Sequence, residues 1–239
     1  MSGEKGHESG PEVSRQVPSA DADLAYFQSA NLRYAIVPEK TAIVVICMQN
    51  GCLKPGYAMY SPRALAMVPR LRDFMELCRS RGILVIHTVS SRRGDGSDIG
   101  RMIDIHPMLR GSSIFLAGTD EVEVYGELSH PSDVVIEKHR YNAFFGTDLE
   151  LVLRANGIDT LIISGTATEG CCEETACEAF ARDYKVVFLS DGNAAEGLPD
   201  AGWGPISPEE AQRGTLTLVA SSLGQVASID EVSEAIRSA

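Results

Sequence analysis

The sequence lacks several features that would place it in other classes of protein. Its 21 Lys and Arg against 33 Asp and Glu leave a net charge of −12, so there is no basic surplus for binding nucleic acid. No apolar run approaches the roughly 20 residues of a membrane-spanning helix. The N-terminal residues also lack the apolar stretch of a secretory signal. We therefore expect a cytoplasmic protein with no nucleic-acid or membrane partner and a small-molecule substrate.

The six cysteines do not form a disulfide pattern. Three of them lie within seven residues, and a chain of 239 residues without an export signal is not typical of disulfide-rich secreted domains. The C-x-x-C and paired-histidine spacings of structural zinc sites are absent. We expect reduced thiols, no metal and no cofactor.

Apolar runs alternate with segments of helical periodicity along most of the chain. The runs that predict strands lie at 42–47, 83–89, 133–138, 160–166 and 185–191. Helices are predicted between and after them, at 64–82, 147–155, 171–182 and 209–224. This alternation indicates a three-layer α/β/α fold with a mostly parallel, Rossmann-like central sheet.

The two ends of the chain differ in composition. Residues 1–30 are rich in Gly, Ser, Glu and Pro, which predicts a tail that is partly disordered or wraps the surface. Residues 31–239 carry the alternating elements and are predicted to form one domain. Two long polar segments, 90–111 and 191–205, interrupt the pattern, and we expect them to form loops or a lid near a functional site.

The segment ISGTATEGCCEETACEAFARDY, residues 163–184, carries the clearest chemical pattern. A buried strand runs through a short turn into a helix that we expect to begin near Cys171. A thiol at a helix N-terminus has a lowered pKa, because the helix dipole and the unpaired N–H groups favour the thiolate. The pattern fits a small buried core cysteine equally well, so the residues alone leave these two roles level.

Lys138 ends another predicted strand, in DVVIEKHRYNAFFGT. Parallel strands bring their carboxyl ends to one edge of the sheet, so Lys138 would lie near Cys171 and stabilise negative charge there. An exposed lysine at a strand end is the alternative. Tyr141, Phe144 and Phe145 follow, and they fit either a substrate pocket or a hydrophobic cluster.

Four further residues are candidates for contacting a substrate. Arg92, Arg93 and Arg140 fit a clamp for a substrate carboxylate, or else exposed, solvated arginines. Trp203, the only tryptophan, lies in the long segment 191–205 and is a candidate for substrate binding.

Three blocks in order resemble the isochorismatase-like cysteine hydrolase superfamily over roughly residues 30–236. The superfamily's strand ending in D-M-Q-N is matched by VVICMQNGCL. Its lysine block is matched by IEKHRYNAFFGTDLELVLRANGIDTLIISG, and its nucleophile block by GTATEGCCEETACEAFARDY. The lysine block is most similar to the branch of N-carbamoylsarcosine amidase and ureidoacrylate amidohydrolase. The resemblance implies hydrolysis of a C–N bond in a small amide, carbamoyl or ureido compound, and a homodimer or homotetramer.

The resemblance also assigns site residues. It places the nucleophile on Cys171, the catalytic lysine on Lys138, a cis peptide at Thr166–Ala167, and an oxyanion hole at the backbone N–H groups of Ala167 and Cys171. It places Cys47 where the superfamily has its acid/base Asp. Because the reference pKa is about 8.5 for a thiol and about 3.9 for Asp, this exchange affects proton delivery to the leaving nitrogen most.

Cys47 leaves several interpretations open. In one interpretation, Cys47 acts as a thiolate base. In another, Glu169 or a group on the substrate supplies the carboxylate that the superfamily's Asp provides. Alternatively, the chain binds a ligand without hydrolysing it, whether the Cys is natural or engineered, or it cleaves a vinyl ether without covalent catalysis. A disulfide between Cys47 and Cys171 would block the nucleophile under oxidising conditions.

The nicotinamidase branch of the superfamily is disfavoured. Its members share an Asp-x-His metal motif soon after the D-M-Q-N block. In this sequence the D-x-H at 104–106 lies more than 50 residues after the corresponding M-Q-N, so that motif is not in the expected place. His87 lies at the end of an apolar run, where a buried core histidine is predicted.

Overall fold

A computed structural model describes residues 33–111 and 113–239, which belong to one compact unit. The tail predicted at residues 1–30 lies outside these ranges. Within them, no helix combines the length and the apolar character that crossing a membrane would need.

The centre of the unit is a parallel sheet. Its strands are β1 (Thr41–Ile46), β2 (Leu84–Ser90), β3 (Val134–Lys138), β4 (Thr160–Thr166), β5 (Lys185–Ala194) and β6 (Gln225–Ala227). They pair in parallel in the order β3-β2-β1-β4-β5-β6. β1 and β4 are buried along their whole length, which explains why their sequences are continuous apolar runs rather than alternating ones.

Helices cover both faces of the sheet. They are α1 (Asn50–Leu53), α2 (Pro62–Ser80), α3 (Met102–Ile105), α4 (Leu149–Ala155), α5 (Glu173–Ala181), α6 (Pro208–Ser222) and α7 (Ile229–Ser238). α2 packs on α7, α5 packs on α6, and all four contact β5. The crossovers from β1 to β2 through α2 and from β4 to β5 through α5 run in opposite directions, which places the two helix pairs on opposite faces. The predicted three-layer α/β fold is confirmed.

The structure corrects some of the predicted boundaries. β5 continues to Ala194, so the first residues of segment 191–205 belong to the sheet. Segment 90–111 is not a plain loop, because it contains α3 and a 3-10 turn at Pro107–Leu109. β6 and α7 were not predicted, although buried Ile229, Val232 and Ile236 follow helical spacing.

Candidate active site

The parallel register brings several strand ends together at the carboxyl edge of the sheet. Ser90 closes β2 beside Lys138 at the end of β3. Cys47 directly follows Ile46 of β1, which pairs with Gly165 near the end of β4. The chain leaves β1 and β4 in opposite directions, and open α/β sheets bind ligands at such a point.

Lys138 is the centre of the polar contacts at this edge. Its fully buried Nζ donates to Cys171 Sγ at 3.2 Å, to Ser90 Oγ at 3.0 Å and to the Arg140 carbonyl oxygen at 3.1 Å. Burial acts to lower the pKa of Lys138, but the charges of Cys171 and Cys47 outweigh it and raise the pKa above its ordinary value. Lys138 is therefore a buried ammonium group at neutral pH.

Cys47 and Cys171 form a coupled pair of thiols beside this ammonium. The hydrogen bond from Cys171 lowers the pKa of Cys47 to about 5, with help from the charge of Lys138 and against the effect of burial. The same hydrogen bond, together with burial, raises the pKa of Cys171. The pair consequently shares one proton and carries one negative charge at neutral pH, which balances the charge of Lys138.

The backbone at Cys47 has a left-handed conformation, with φ at 54°. Its N–H donates to the Thr88 carbonyl oxygen at 2.8 Å, which holds the residue at the end of β1. Asp and Asn are several-fold enriched in this region of backbone space, whereas other non-glycine residues are uncommon there. The conformation at position 47 therefore suits the Asp that the resemblance implies for this position.

Cys171 lies in a single π-helical turn, Thr168–Cys172, that leads into α5. The helix predicted to begin near Cys171 begins two residues later, at Glu173. The peptide bond between Thr166 and Ala167 is cis. Thr175 Oγ1 donates to the Cys171 carbonyl oxygen at 2.6 Å, and this contact ties the turn to the first turn of α5.

The sequence matches the Isochorismatase domain over residues 41–229. The chain belongs to the isochorismatase family. A cysteine hydrolase structure from Pseudomonas syringae pv. phaseolicola 1448A is 37% identical with a TM-score of 0.84, covering 88% of this chain and 99% of that one. The N-carbamoylsarcosine amidase structure from Thermoplasma acidophilum is 29% identical with a TM-score of 0.62, covering 80% and 97%.

Curated relatives give the same family. An Azorhizobium caulinodans ureidoacrylate amidohydrolase is 26% identical over 213 residues, which covers 82% of this chain and 89% of the relative. An Arabidopsis thaliana protein described as a probable inactive nicotinamidase is 32% identical over 158 residues, covering 65% and 81%. The resemblance stated from the sequence blocks is confirmed.

Two residues of this isochorismatase-family site were missed from the sequence. Ser90 Oγ lies 3.4 Å from Cys47 Sγ and accepts from Lys138, so it connects the second thiol to the ammonium. Gln49 holds Ser90, because its Oε1 accepts from the Ser90 N–H at 2.6 Å and its Nε2 donates to the Ser90 carbonyl oxygen at 3.0 Å. Gln49 lies in the M-Q-N block, which was the available signal; Ser90 had none beyond its position at a strand end.

The structure does not bring all the substrate-binding candidates together. Burial raises the pKa of the Tyr141 phenol, and the charge of nearby Cys171 raises it further. The Tyr141 hydroxyl lies 2.7 Å from His106 Nε2. Phe145 is exposed at the surface. Trp203 is 98% exposed and is not packed against any of these groups. Arg92 is buried, and its backbone pairs with residues 115–117.

Other candidates have structural contacts. Phe144 is buried, with its ring centroid 5.9 Å from that of Tyr184, so it belongs to the core rather than to a pocket. Arg140 donates to the Asp98 carbonyl oxygen at 2.7 Å, and Arg93 is exposed. Glu169 accepts from the backbone N–H groups of Glu196 and Gly197 at 2.9 and 2.7 Å. Both contacts use Oε1, which holds the loop at 196–197, while Oε2 is buried and accepts no hydrogen bond from the described residues.

His87 is a core residue, as predicted. It is 1% exposed, and its Nε2 lies 3.0 Å from Asp133 Oδ2. Among residues 33–111 and 113–239, no three His, Cys, Asp or Glu side chains are grouped so as to hold a metal ion.

A cavity of about 780 Å³ lies between α2 and α6, away from the cysteine pair. Its lining includes Arg70, Asn193 and Arg213, but not Cys47, Lys138 or Cys171. The candidate active site is therefore defined by its chemistry and its place in the topology, and not by this cavity.

Proposed function

We propose that the chain is a cysteine-dependent hydrolase that cleaves a C–N bond in a small amide, carbamoyl or ureido compound. The observation that carries the proposal is the buried contact of Lys138 Nζ with Cys171 Sγ, beside a second thiol that takes the negative charge. The class of bond follows from the relatives named ureidoacrylate amidohydrolase and N-carbamoylsarcosine amidase.

In the proposed reaction, Cys171 Sγ attacks the carbonyl carbon while its proton passes to Cys47. The backbone N–H groups of Ala167 and Cys171 stabilise the charge that develops on the carbonyl oxygen. Collapse of the tetrahedral adduct breaks the C–N bond, and Cys47 returns the proton to the leaving nitrogen. Water then hydrolyses the Cys171 thioester, releases the acid and restores the thiol, with Cys47 accepting and returning one proton.

The low pKa of Cys47 supports its role as the proton acceptor. In water a thiol would be mostly protonated at neutral pH, but the hydrogen bond from Cys171 and the charge of Lys138 lower the pKa of Cys47 to about 5. Attack of Cys171 on the carbonyl carbon removes that hydrogen bond, so the pKa of Cys47 rises in the tetrahedral adduct. Cys47 consequently holds the proton until the leaving nitrogen takes it.

Mass spectrometry of the intact chain tests this function. The protein is mixed with a panel of small amides, carbamoyl compounds and ureido acids, quenched in acid and digested. We expect an acyl adduct on Cys171 and release of ammonia or an amine, with neither in Cys171→Ala. An adduct confined to the other cysteines would refute the thioester mechanism. Turnover retained by Cys171→Ala would instead support a hydrolase without covalent catalysis.

A second candidate function is ligand binding without turnover. It is favoured by the relative described as a probable inactive nicotinamidase and by the exchange of Asp for Cys47. The variant Cys47→Asp separates the two functions. A silent protein gains hydrolysis when the carboxylate is restored, whereas an enzyme that uses Cys47 retains or loses the activity it already has.

A further inference from the structure

The two cysteines of the site differ from the remaining thiols in their surroundings. Both adjoin the Lys138 ammonium: its Nζ lies 3.2 Å from Cys171 Sγ and 3.0 Å from Ser90 Oγ, which in turn lies 3.4 Å from Cys47 Sγ. The interaction between the two thiols lowers the pKa of Cys47 and raises that of Cys171, so one charge is shared between them. Cys78 is a contrasting case, since burial in the core raises its pKa to about 12. Thiolates, and not thiols, react with peroxides, so oxidation is directed to the pair.

The topology holds the pair together before any oxidation occurs. Cys47 follows β1 and Cys171 follows β4, and these are adjacent strands in the centre of the sheet. Both residues are at least nine-tenths buried, at 4% and 9% exposure. A small hydroperoxide reaches such a site more readily than a bulky thiol does, and a neighbouring thiol is the usual partner for an oxidised cysteine.

We propose that Cys47 and Cys171 are a site of reversible oxidation, at which a hydroperoxide converts the two thiols into an intramolecular disulfide. The thiolate of the pair attacks the O–O bond, so an S–O bond forms, the O–O bond breaks, and the leaving oxygen takes up a proton as water or an alcohol. The second sulfur then attacks the sulfenic acid, which forms the S–S bond and releases water. Two equivalents of a reducing thiol regenerate the free pair.

This oxidation protects the nucleophile. Cys47 carries the charge of the pair, so its sulfur is the one oxidised first. Cys171 would therefore serve as the resolving cysteine, and the disulfide stops the sulfenic acid from proceeding to the irreversible sulfinic acid. The expected loss of hydrolysis on oxidation rests on the proposed function, but formation of the disulfide does not, since it needs no substrate.

The test uses the full chain, hydrogen peroxide as the oxidant and no substrate. After treatment the remaining thiols are blocked with N-ethylmaleimide, and the protein is digested with trypsin without reduction. We expect a crosslink between peptides 41–63 and 155–182, a mass lower by two hydrogens, and full reversal by dithiothreitol. Sulfinic acid on Cys47 or Cys171 without a crosslink would overturn the proposal.

Variants assign the crosslink to its two cysteines. Peptide 41–63 also contains Cys52, and peptide 155–182 also contains Cys172 and Cys177. The crosslink should persist in Cys52→Ser, which is the matched control, and disappear in Cys47→Ser, where Cys171 is expected to accumulate as the sulfinic acid. A crosslink that survives in Cys47→Ser and is lost in Cys52→Ser would refute the assignment. So would a crosslink that persists in Cys171→Ser.

Discussion

Replacing Lys138 by Met should raise the pKa of Cys47 and lower the thiolate fraction of the cysteine pair at neutral pH. Met has a similar length and no charge, so the change removes the ammonium with little loss of volume. Without the cation, the hydrogen bonds from Cys171 and Ser90 remain, but they alone oppose the burial of a negative sulfur, so the pKa of Cys47 should rise. The reactivity of the pair is the property that reports this change.

The magnitude follows from the geometry. At 3.2 Å between Nζ and Sγ, and with an effective dielectric constant of about 20, the attraction of the ammonium for a thiolate is about 5 kcal/mol. The shift in the pKa of Cys47 from 9.0 to about 5 corresponds to a similar energy, about 5 kcal/mol. The hydrogen bond from Cys171 contributes the largest part of this shift and remains in the variant, so we expect the pKa of Cys47 to rise by only part of it. Every unit by which that pKa exceeds 7 lowers the reactivity of the pair at pH 7 about tenfold.

The assay is the rate of alkylation by iodoacetamide between pH 4 and pH 10, with Cys47 and Cys171 separated by mass spectrometry. The matched control is Lys185→Met. Lys185 is an exposed lysine that pairs with Asp159 at the start of β5, at the edge of the sheet opposite to the cysteine pair. Equal alkylation rates at pH 7 for the Lys138→Met variant and the unchanged protein would refute the reasoning. Circular dichroism checks that the variant retains its fold.

Three other results are expected. Between pH 5 and pH 9 the unfolded chain keeps the Cys47 proton and the folded chain has lost it. The free energy of unfolding, compared with that of Lys138→Met, should therefore rise with pH by up to about 1.4 kcal/mol per pH unit. Urea denaturation midpoints that do not change with pH would contradict this. Ser90→Ala should lower kcat roughly tenfold with little change in KM. Because Ser90 helps lower the pKa of Cys47, the acid limb of the pH–kcat profile should also move to higher pH. A profile that does not move would assign Ser90 a merely structural role. Trp203→Ala should change kcat/KM by less than about twofold, since the ring is 98% exposed; a large rise in KM would place Trp203 in the substrate site.

Hydrophobic periodicity predicted most of the sheet. β1 and β4 are buried on both faces, and burial on both faces requires a continuous apolar run, which is visible in the sequence. The short edge strand β6 has only three residues and no such run, so it was missed. α5 begins at Glu173, two residues after the predicted start, and the backbone at Gly170 just before it is not helical.

Part of the site was also predictable. Lys138 and Cys171 lie directly after apolar runs, and the carboxyl ends of parallel strands meet at one edge, so their proximity follows from the pattern. Gln49 and Ser90 act through contacts between residues far apart in sequence, and no local pattern encodes those contacts.

The sequence by itself determined the family and most of the alternating strands and helices, and its resemblance to that family implies an Asp where Cys47 stands. It did not determine the charge on Cys47, since a thiol in water has a pKa far above that of a carboxylate. The tertiary structure decided that point by burying Cys47 against Cys171 and Lys138, where a hydrogen bond and a positive charge outweigh burial and favour the thiolate. The proposed proton transfer and the proposed oxidation both depend on this contact.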